Sequence, residues 1–302
     1  MKVLVCDKME ASAIETMKAA GLQVDVKTGM TPEQLVATVP GYHVAIVRSA
    51  TKFRKPAIDA ATDLKLIVRG GVGLDTIDVE YAESKGIMVR NTPAAATISV
   101  AELALGFMFA LARKIPQMTQ SMKEGKWEKK AFEGYELYGK TLGIVGIGRI
   151  GTALAQRAVA LGMKVFAYDI RPVPSTECYT CCGLDECIGV ADYISLHVPL
   201  TPQTANIINA DVIAKMKDGV RIINCARGGT IDEDALLAAL ESGKVAGAAL
   251  DVFAEEPTTN MKLLAHPNVI ASPHVGAQTY EGQARVGAEV AEIVVAFARE
   301  HK

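Results

Sequence analysis

Residues 141–169 read TLGIVGIGRIGTALAQRAVALGMKVFAYD, and this stretch limits the fold more than any other part of the chain. The apolar run Leu142 to Val145 predicts a buried strand. It enters Gly146-Ile-Gly148-Arg-Ile-Gly151, which opens a helix to about Leu161, and a second strand from Lys164 to Tyr168 ends on Asp169. In such a strand–turn–helix–strand unit the first glycine permits a tight turn and the second lets a pyrophosphate approach the backbone. The third lets helix and strand pack closely. The helix N-terminus offers unpaired N–H groups and a partial positive charge to phosphates. Asp169, eighteen residues past Gly151, can accept hydrogen bonds from both ribose hydroxyls of an adenosine. A 2′-phosphate would meet its carboxylate, so the spacing predicts a dinucleotide site for NAD rather than NADP.

The rest of the chain supplies more α/β structure. Val3–Cys6, Val24–Val26, Val44–Val47, Leu66–Val68 and Ile87–Val89 predict strands; Glu10–Ala20, Pro32–Val39, Pro56–Ala61 and Val79–Ser84 predict helices between them. Thr31 stands as N-cap before Pro32 at the first helical position. Alternation of this kind implies a parallel sheet covered by helices. From Ala94 to Ala112 the pattern is helical and apolar almost all round, which predicts a buried helix. Lys114 to Lys140 is polar, with Trp127, Phe132, Tyr135 and Tyr138 scattered through it, and reads as an irregular arm. It suits either a subunit interface or a cover over its own domain. Beyond the glycine motif, strands recur at Tyr193–Leu196, Val220–Asn224, Ala246–Leu250 and Val269–Ile270, with helices at Ala210–Met216 and Glu233–Glu241. Gln278 to Glu300 predicts a long amphipathic helix. The expected fold class is α/β, two doubly wound parallel-sheet domains with a cleft between. Residues 1–94 plus 276–302 would form a flavodoxin-like substrate domain, and 95–275 a Rossmann domain.

Composition removes several classes. A chain of 302 residues, 50% hydrophobic and 22% charged, is not disordered, and a net charge of −2 gives no electrostatic reason to expect nucleic acid or a membrane surface. The N-terminus reads as a strand and not as a signal peptide, and the most apolar run, Leu103 to Ala112, is too short to span a bilayer. A cytoplasmic protein is expected. Four of the six cysteines lie in Cys178-Tyr-Thr-Cys181-Cys182-Gly-Leu-Asp-Glu-Cys187. Adjacent Cys181 and Cys182 fit paired zinc ligands poorly, so free thiols on a surface loop are expected, with no metal.

Three strands end in residues suited to chemistry. Val220–Asn224 runs into Cys225-Ala226-Arg227-Gly-Gly; Ala246–Leu250 ends on Asp251, followed by Val-Phe-Ala-Glu-Glu256-Pro; and the strand from Val269 leads to Ser-Pro-His274-Val-Gly276-Ala277. Carboxyl ends of strands face the ligand crevice of an open α/β sheet. His274 can take a hydroxyl proton and return it, Glu256 can orient the imidazole and stabilise its charged form, and Arg227 can grip a carboxylate. These residue types suit hydride transfer at a hydroxyl or carbonyl carbon.

Together these motifs resemble the D-isomer-specific 2-hydroxyacid dehydrogenase family over essentially the whole chain. The shared features are Gly146-x-Gly148-x-x-Gly151, Asn-x-Ala-Arg227-Gly-Gly, Asp251-Val-Phe-x-x-Glu256-Pro and Pro-His274. Within the family, Arg-Ser-Ala-Thr-Lys at 48–52, Asn91-Thr-Pro and Gly-Lys-Trp127 are most similar to the branch acting on D-3-phosphoglycerate. The resemblance implies Arg227, Glu256 and His274 as the catalytic set. It implies NAD contacts from Gly146, Gly148, Arg149, Ile150, Gly151, Asp169, Val198, Cys225, Ala226, Arg227, Asp251, His274, Gly276 and Ala277. It places a small 2-hydroxy or 2-keto acid, phosphorylated, on Arg48, Ser49, Gly70, Gly71, Val72 and Asn91. Arg48, Lys52 and Arg54 would supply positive charge for the phosphate. A homodimer through 95–140 is implied too, and the absence of serine feedback through a C-terminal regulatory domain is expected. Ala-Ala-Ala-Thr at 94–97 offers few polar substrate contacts, and the cysteine cluster matches no family motif, raising redox sensitivity as a hypothesis. The rivals are reduction of hydroxypyruvate or glyoxylate, D-lactate formation, and an NAD-sensing scaffold without turnover.

Overall fold

The computed structural model describes residues 1–301, which divide into two compact units, Met1–Ala96 with the segment from Ala277, and Thr97–Gly276. The first unit alternates β1 (Lys2–Val5), α1 (Ala11–Ala19), β2 (Gln23–Val26), α2 (Pro32–Thr38), β3 (Val44–Val47), α3 (Lys55–Ala60), β4 (Leu66–Arg69), α4 (Val79–Ser84) and β5 (Met88–Asn91). Its five strands are parallel in the order β2-β1-β3-β4-β5. Both faces are covered, so strand residues alternate between two apolar clusters: Val3, Val5, Val44 and Ile46 join one, Leu4, Cys6, Ala45 and Val47 the other. The helix Tyr280–Glu300 lays Val286, Val290, Val294 and Phe297 on the first cluster, each such side chain contributing about 1.5–3 kcal/mol of burial. Local signals set the boundaries: Thr31 and Gln34 form a reciprocal capping box ahead of α2.

The second unit begins with α5 (Thr97–Arg113), α6 (Ile115–Lys123) and a 3₁₀ turn (Lys129–Phe132). It continues through β6 (Thr141–Val145), α7 (Arg149–Ala160), β7 (Lys164–Tyr168), β8 (Thr180–Cys181), α8 (Leu184–Val190), β9 (Tyr193–Leu196), α9 (Ala210–Ala214), β10 (Val220–Asn224), α10 (Glu233–Glu241), β11 (Val245–Leu250), α11 (Met261–Ala265) and β12 (Val269–Ala271). The helix Tyr280–Glu300, α12, follows. Seven parallel strands lie in the order β12-β11-β10-β9-β6-β7-β8. Strand order reverses beside β6, between its neighbours β7 and β9, and this places a ligand crevice at the carboxyl ends of β6 and β9. In the first sheet the reversal falls between β1 and β3.

Four differences from the sequence expectations have local causes. The unit boundaries fall at 96/97 and 276/277 because Ala95 is buried in the first cluster and its carbonyl accepts the Arg285 Nε–H at 3.0 Å. The first part of the expected irregular arm is α6, started by Pro116 after Lys114 turns left-handed at φ 51°. The apolar helix is not buried all round: Ile98, Glu102, Gly106, Phe109 and Arg113 form an exposed stripe along α5. The cysteine segment is not simply a surface loop either, since Cys181 lies on edge strand β8 and Cys187 is fully buried on α8.

Candidate active site

At the reversal in the second sheet, β6 delivers Gly146 in a left-handed conformation, φ 98°, hard against the end of β9. A Cβ on Gly146 would lie 2.6 Å from the His197 carbonyl oxygen and 2.8 Å from Val198 Cγ1, so only glycine makes this turn. A Cβ on Gly151 would meet the Gly146 carbonyl oxygen at 2.4 Å. Gly148 differs: nothing lies within 4 Å of its Cβ position, and it precedes α7 without a side-chain cap. Arg149 and Ile150 begin that helix, whose first N–H groups therefore face open space. Asp169, at the end of β7, accepts the Ile147 N–H at 3.2 Å through Oδ2 and the Arg171 N–H at 3.0 Å through Oδ1. Open approach at Gly148, an uncapped helix terminus and a carboxylate tied to the turn fit a dinucleotide.

The adjoining strands present the reactive groups. His274 Nδ1 and Glu256 Oε2 are 2.7 Å apart, with side chains 48% and 37% exposed, while Glu256 Oε1 accepts the Phe253 N–H at 3.1 Å. The carboxylate thus fixes the Nδ1–H tautomer and leaves Nε2 to exchange a proton. His274 has φ 52°, an unusual conformation for a residue with a Cβ. Asp251, 1% exposed, holds that turn: Oδ1 accepts the Ser272 hydroxyl at 2.5 Å and the Val275 N–H at 2.8 Å, and Oδ2 accepts the Gly276 N–H at 2.8 Å. At the end of β10, buried Asn224 accepts the Ala226 N–H at 3.0 Å and donates to the Arg227 carbonyl at 3.0 Å. Thr230 donates to the same carbonyl at 2.7 Å. Arg227 is half-buried, and Cys225 and Ala226 beside it are buried. Burial pushes the Cys225 thiol upward and keeps it protonated. A Cβ on Gly228 would lie 1.7 Å from the Phe253 carbonyl oxygen, so glycine here lets the Arg227 loop close on the loop carrying Glu256.

In the first unit, Arg48 and Ser49 follow β3 at the sheet's reversal point. The Arg48 N–H donates to Asp7 Oδ2 at 2.5 Å, Thr51 donates to the same carboxylate through its N–H and its hydroxyl, and Arg48 Nη1 donates to the Lys8 carbonyl at 3.1 Å. Burial lowers the Arg48 pKa, against the pull of Asp7 and Glu10. Gly70, Gly71 and Val72 follow β4, and Asn91, at the end of the neighbouring strand, donates to the Val72 carbonyl at 2.5 Å. Arg54 departs from its expected role. Its guanidinium is tied to Asp78 Oδ1 at 2.9 Å and the Asp75 carbonyl at 2.9 Å, so its charge is spent within the fold. Lys52 is exposed. Ala277, expected at the cofactor, belongs to the first unit, where its carbonyl accepts from Gln283 at 2.7 Å.

Sequence reasoning missed the supports: Asn224, Thr230, Ser272, Asp7 and the turn-holding use of Asp251. Asn224 closes β10, Asp251 and Ser272 directly follow β11 and β12, and Asp7 nearly follows β1, whereas Thr230 carries no comparable linear signal. Among the described residues, no group of three His, Cys, Asp or Glu side chains could hold a metal ion, and no helix is long and apolar enough to cross a membrane.

Residues 105–276 match the family model described as D-isomer specific 2-hydroxyacid dehydrogenase, NAD binding domain. The chain is 50% identical over 297 residues to a D-3-phosphoglycerate dehydrogenase of Synechocystis sp., an alignment covering 96% of this chain and 53% of that one. It is 54% identical over 263 residues to a hydroxypyruvate reductase of Thermotoga maritima, covering 86% of each. In three dimensions it is similar to a D-lactate dehydrogenase of Aquifex aeolicus solved with NAD and lactic acid, with a TM-score of 0.88, 30% identity, and coverage of 99% and 96%. The chain spans about half the length of the D-3-phosphoglycerate dehydrogenases it matches.

Proposed function

The chain belongs to the D-isomer-specific 2-hydroxyacid dehydrogenase family, with an NAD-binding domain over residues 105–276, and from that premise we propose that it oxidises D-3-phosphoglycerate to 3-phosphohydroxypyruvate, the entry to serine synthesis. The observation that carries the chemistry is the 2.7 Å His274–Glu256 pair on a turn braced by Asp251. NAD, when bound, supplies the hydride acceptor. In oxidation His274 Nε2 takes the C2 hydroxyl proton, and Glu256 holds the ring and stabilises the imidazolium through Nδ1–H. Arg227 grips the carboxylate next to C2 and polarises the carbonyl that forms. In reduction His274 returns the proton. Gly146, Gly148, Arg149, Ile150, Gly151, Asp169, Val198, Cys225, Ala226, Arg227, Asp251, His274, Gly276 and Ala277 are proposed to line the cofactor. Arg48, Ser49, Gly70, Gly71, Val72 and Asn91 are proposed for the acid, with Arg48 rather than Arg54 as the principal cation.

The phosphorylated acid is supported by the desolvated guanidinium of Arg48 and by identity with D-3-phosphoglycerate dehydrogenases over 96% of the chain. A panel of 3-phosphohydroxypyruvate, hydroxypyruvate, glyoxylate and pyruvate, followed by NADH absorbance, tests it. Preference for the phosphorylated acid by roughly tenfold or more, the worth of a charge-assisted contact, is expected. Preference for an unphosphorylated acid overturns the substrate and leaves the family. Turnover with none of the four acids, despite NADH binding, favours the scaffold reading.

We also propose a homodimer through 95–140 in a reducing, cytosolic compartment. Ile98, Phe109, Ile115, Met122, Trp127 and Tyr138 are exposed there, and Met118, Trp127, Phe132 and Tyr135 line a groove of about 740 Å³. Sedimentation equilibrium at twice the monomer mass is the expected result; a monomer at micromolar concentration contradicts it.

A further inference from the structure

We propose that Arg171 sets how strictly the adenosine end of the cofactor site excludes a 2′-phosphate. Asp169 alone would repel such a phosphate, but it does not stand alone. The chain turns after β7 so that the Arg171 N–H donates to Asp169 Oδ1 at 3.0 Å, and the Arg171 Nε–H reaches the same oxygen at 3.4 Å. The other oxygen is occupied by the Ile147 N–H of the glycine turn. The Asp169 side chain is 10% exposed and that of Arg171 76% exposed, so the carboxylate is anchored while the guanidinium is free to pivot.

Nε–H is one of five N–H donors on that guanidinium. Among the described residues the terminal nitrogens of Arg171 make no hydrogen bond, which leaves a planar fork in solvent beside the carboxylate expected to bind the ribose hydroxyls. Such a fork matches a phosphate. With NAD, Arg171 stays paired to Asp169 and partly neutralises it. With a 2′-phosphate, it swings off Oδ1 and places its fork on the added group. Cys181 lies within electrostatic reach of Asp169, but burial and that carboxylate raise its pKa, so it adds no competing negative charge at neutral pH. The result is graded preference for NAD, set by an aspartate and an arginine two residues apart.

The inference rests on the cofactor site and not on the identity of the acid, so its test needs no turnover. NADH and NADPH are titrated into wild type, Arg171→Ala and Arg171→Lys, following nicotinamide fluorescence. Loss of a solvent-exposed arginine–phosphate contact is expected to raise the ratio of the NADPH to the NADH dissociation constant roughly fivefold to tenfold in Arg171→Ala. Arg171→Lys, which keeps the charge without the fork, is expected to fall between. A ratio in Arg171→Ala within about twofold of wild type overturns the proposal while leaving the NAD site intact.

Discussion

Replacing Asp251 with asparagine tests whether this carboxylate holds the His274 turn. It accepts three hydrogen bonds in a nearly solvent-free position, from the Ser272 hydroxyl and from the N–H groups of Val275 and Gly276. Asparagine has one acceptor oxygen. If that oxygen faces Val275, the amide NH₂ faces the Gly276 N–H; if it flips, the NH₂ faces the Val275 N–H. Either way one backbone donor loses its partner and the other loses a charged acceptor. The lost bond to a charged group is worth about 1.5–3 kcal/mol, and a stranded N–H adds about 1 kcal/mol or more, so the variant should lose about 3 kcal/mol. For a unit of this size that lowers Tm by roughly 6–12 °C. The same displacement moves a residue already in a left-handed conformation, and a shift of about 1 Å in a catalytic group costs about a hundredfold in kcat. Ser272→Ala removes only the hydroxyl donor, strands no backbone N–H, and should cost about 1.5 kcal/mol, the low end for a bond to a charged group. Thermal unfolding and NADH-linked kcat, measured on both variants, check the series. Asp251→Asn with Tm within about 2 °C and kcat within about threefold of wild type would falsify the bracing role.

Two further outcomes follow from buried groups. Burial pushes His197 down to about 4, and its Nε2 lies 2.9 Å from the Ser195 hydroxyl. An unfolded histidine takes its proton near pH 6.5. This contribution is therefore fully present above about pH 6.5 and is lost as pH falls toward 4, by at most about 3 kcal/mol. Urea unfolding of His197→Asn at pH 7.5, 5.5 and 4 should show a shallower decline than wild type; parallel declines would contradict it. Cys181, Cys182 and Cys187 should be slow to oxidise, because burial, chiefly, raises the Cys181 and Cys182 thiols and takes Cys187 to about 12, leaving little thiolate at neutral pH. Mild peroxide should leave activity unchanged, whereas a rapid loss reversed by dithiothreitol would restore the redox hypothesis.

The parts legible in the sequence are those whose physics is local. The unit from β6 to β7 declares itself because strand, glycine turn, helix and terminal acid are contiguous and each glycine has a steric reason to be there. Arg227, Glu256 and His274 could be singled out because polar residues after apolar strands in an α/β sheet leave at its carboxyl edge. What the sequence hid depends on partners brought together by the fold. Arg54 reads as a free cation until Asp78, twenty-four residues away, takes its charge. Asp251 reads as a residue of the cofactor site, and nothing linear shows that the turn two dozen residues later also uses its oxygens. Within α6 the apolar residues Ile115, Met118 and Met122 recur at helical spacing, but they are outnumbered by polar ones, and Ile115 and Met122 stay exposed. Cys187 sits in a segment rich in turn-like residues, yet α8 carries it under β6, where its thiol approaches the Ile144 and Phe166 carbonyls.

The central claim is that His274, oriented by Glu256, moves the proton that accompanies hydride transfer. Its most direct test is His274→Ala, with the NADH dissociation constant and kcat measured on the same preparation, using whichever acid wild type reduces fastest. A positioned general acid–base contributes about 10²–10⁴-fold. A fall of that size in kcat, with NADH still bound, is the expected result. A His274→Ala enzyme turning over within about threefold of wild type would contradict it and send the search for the proton carrier to another residue.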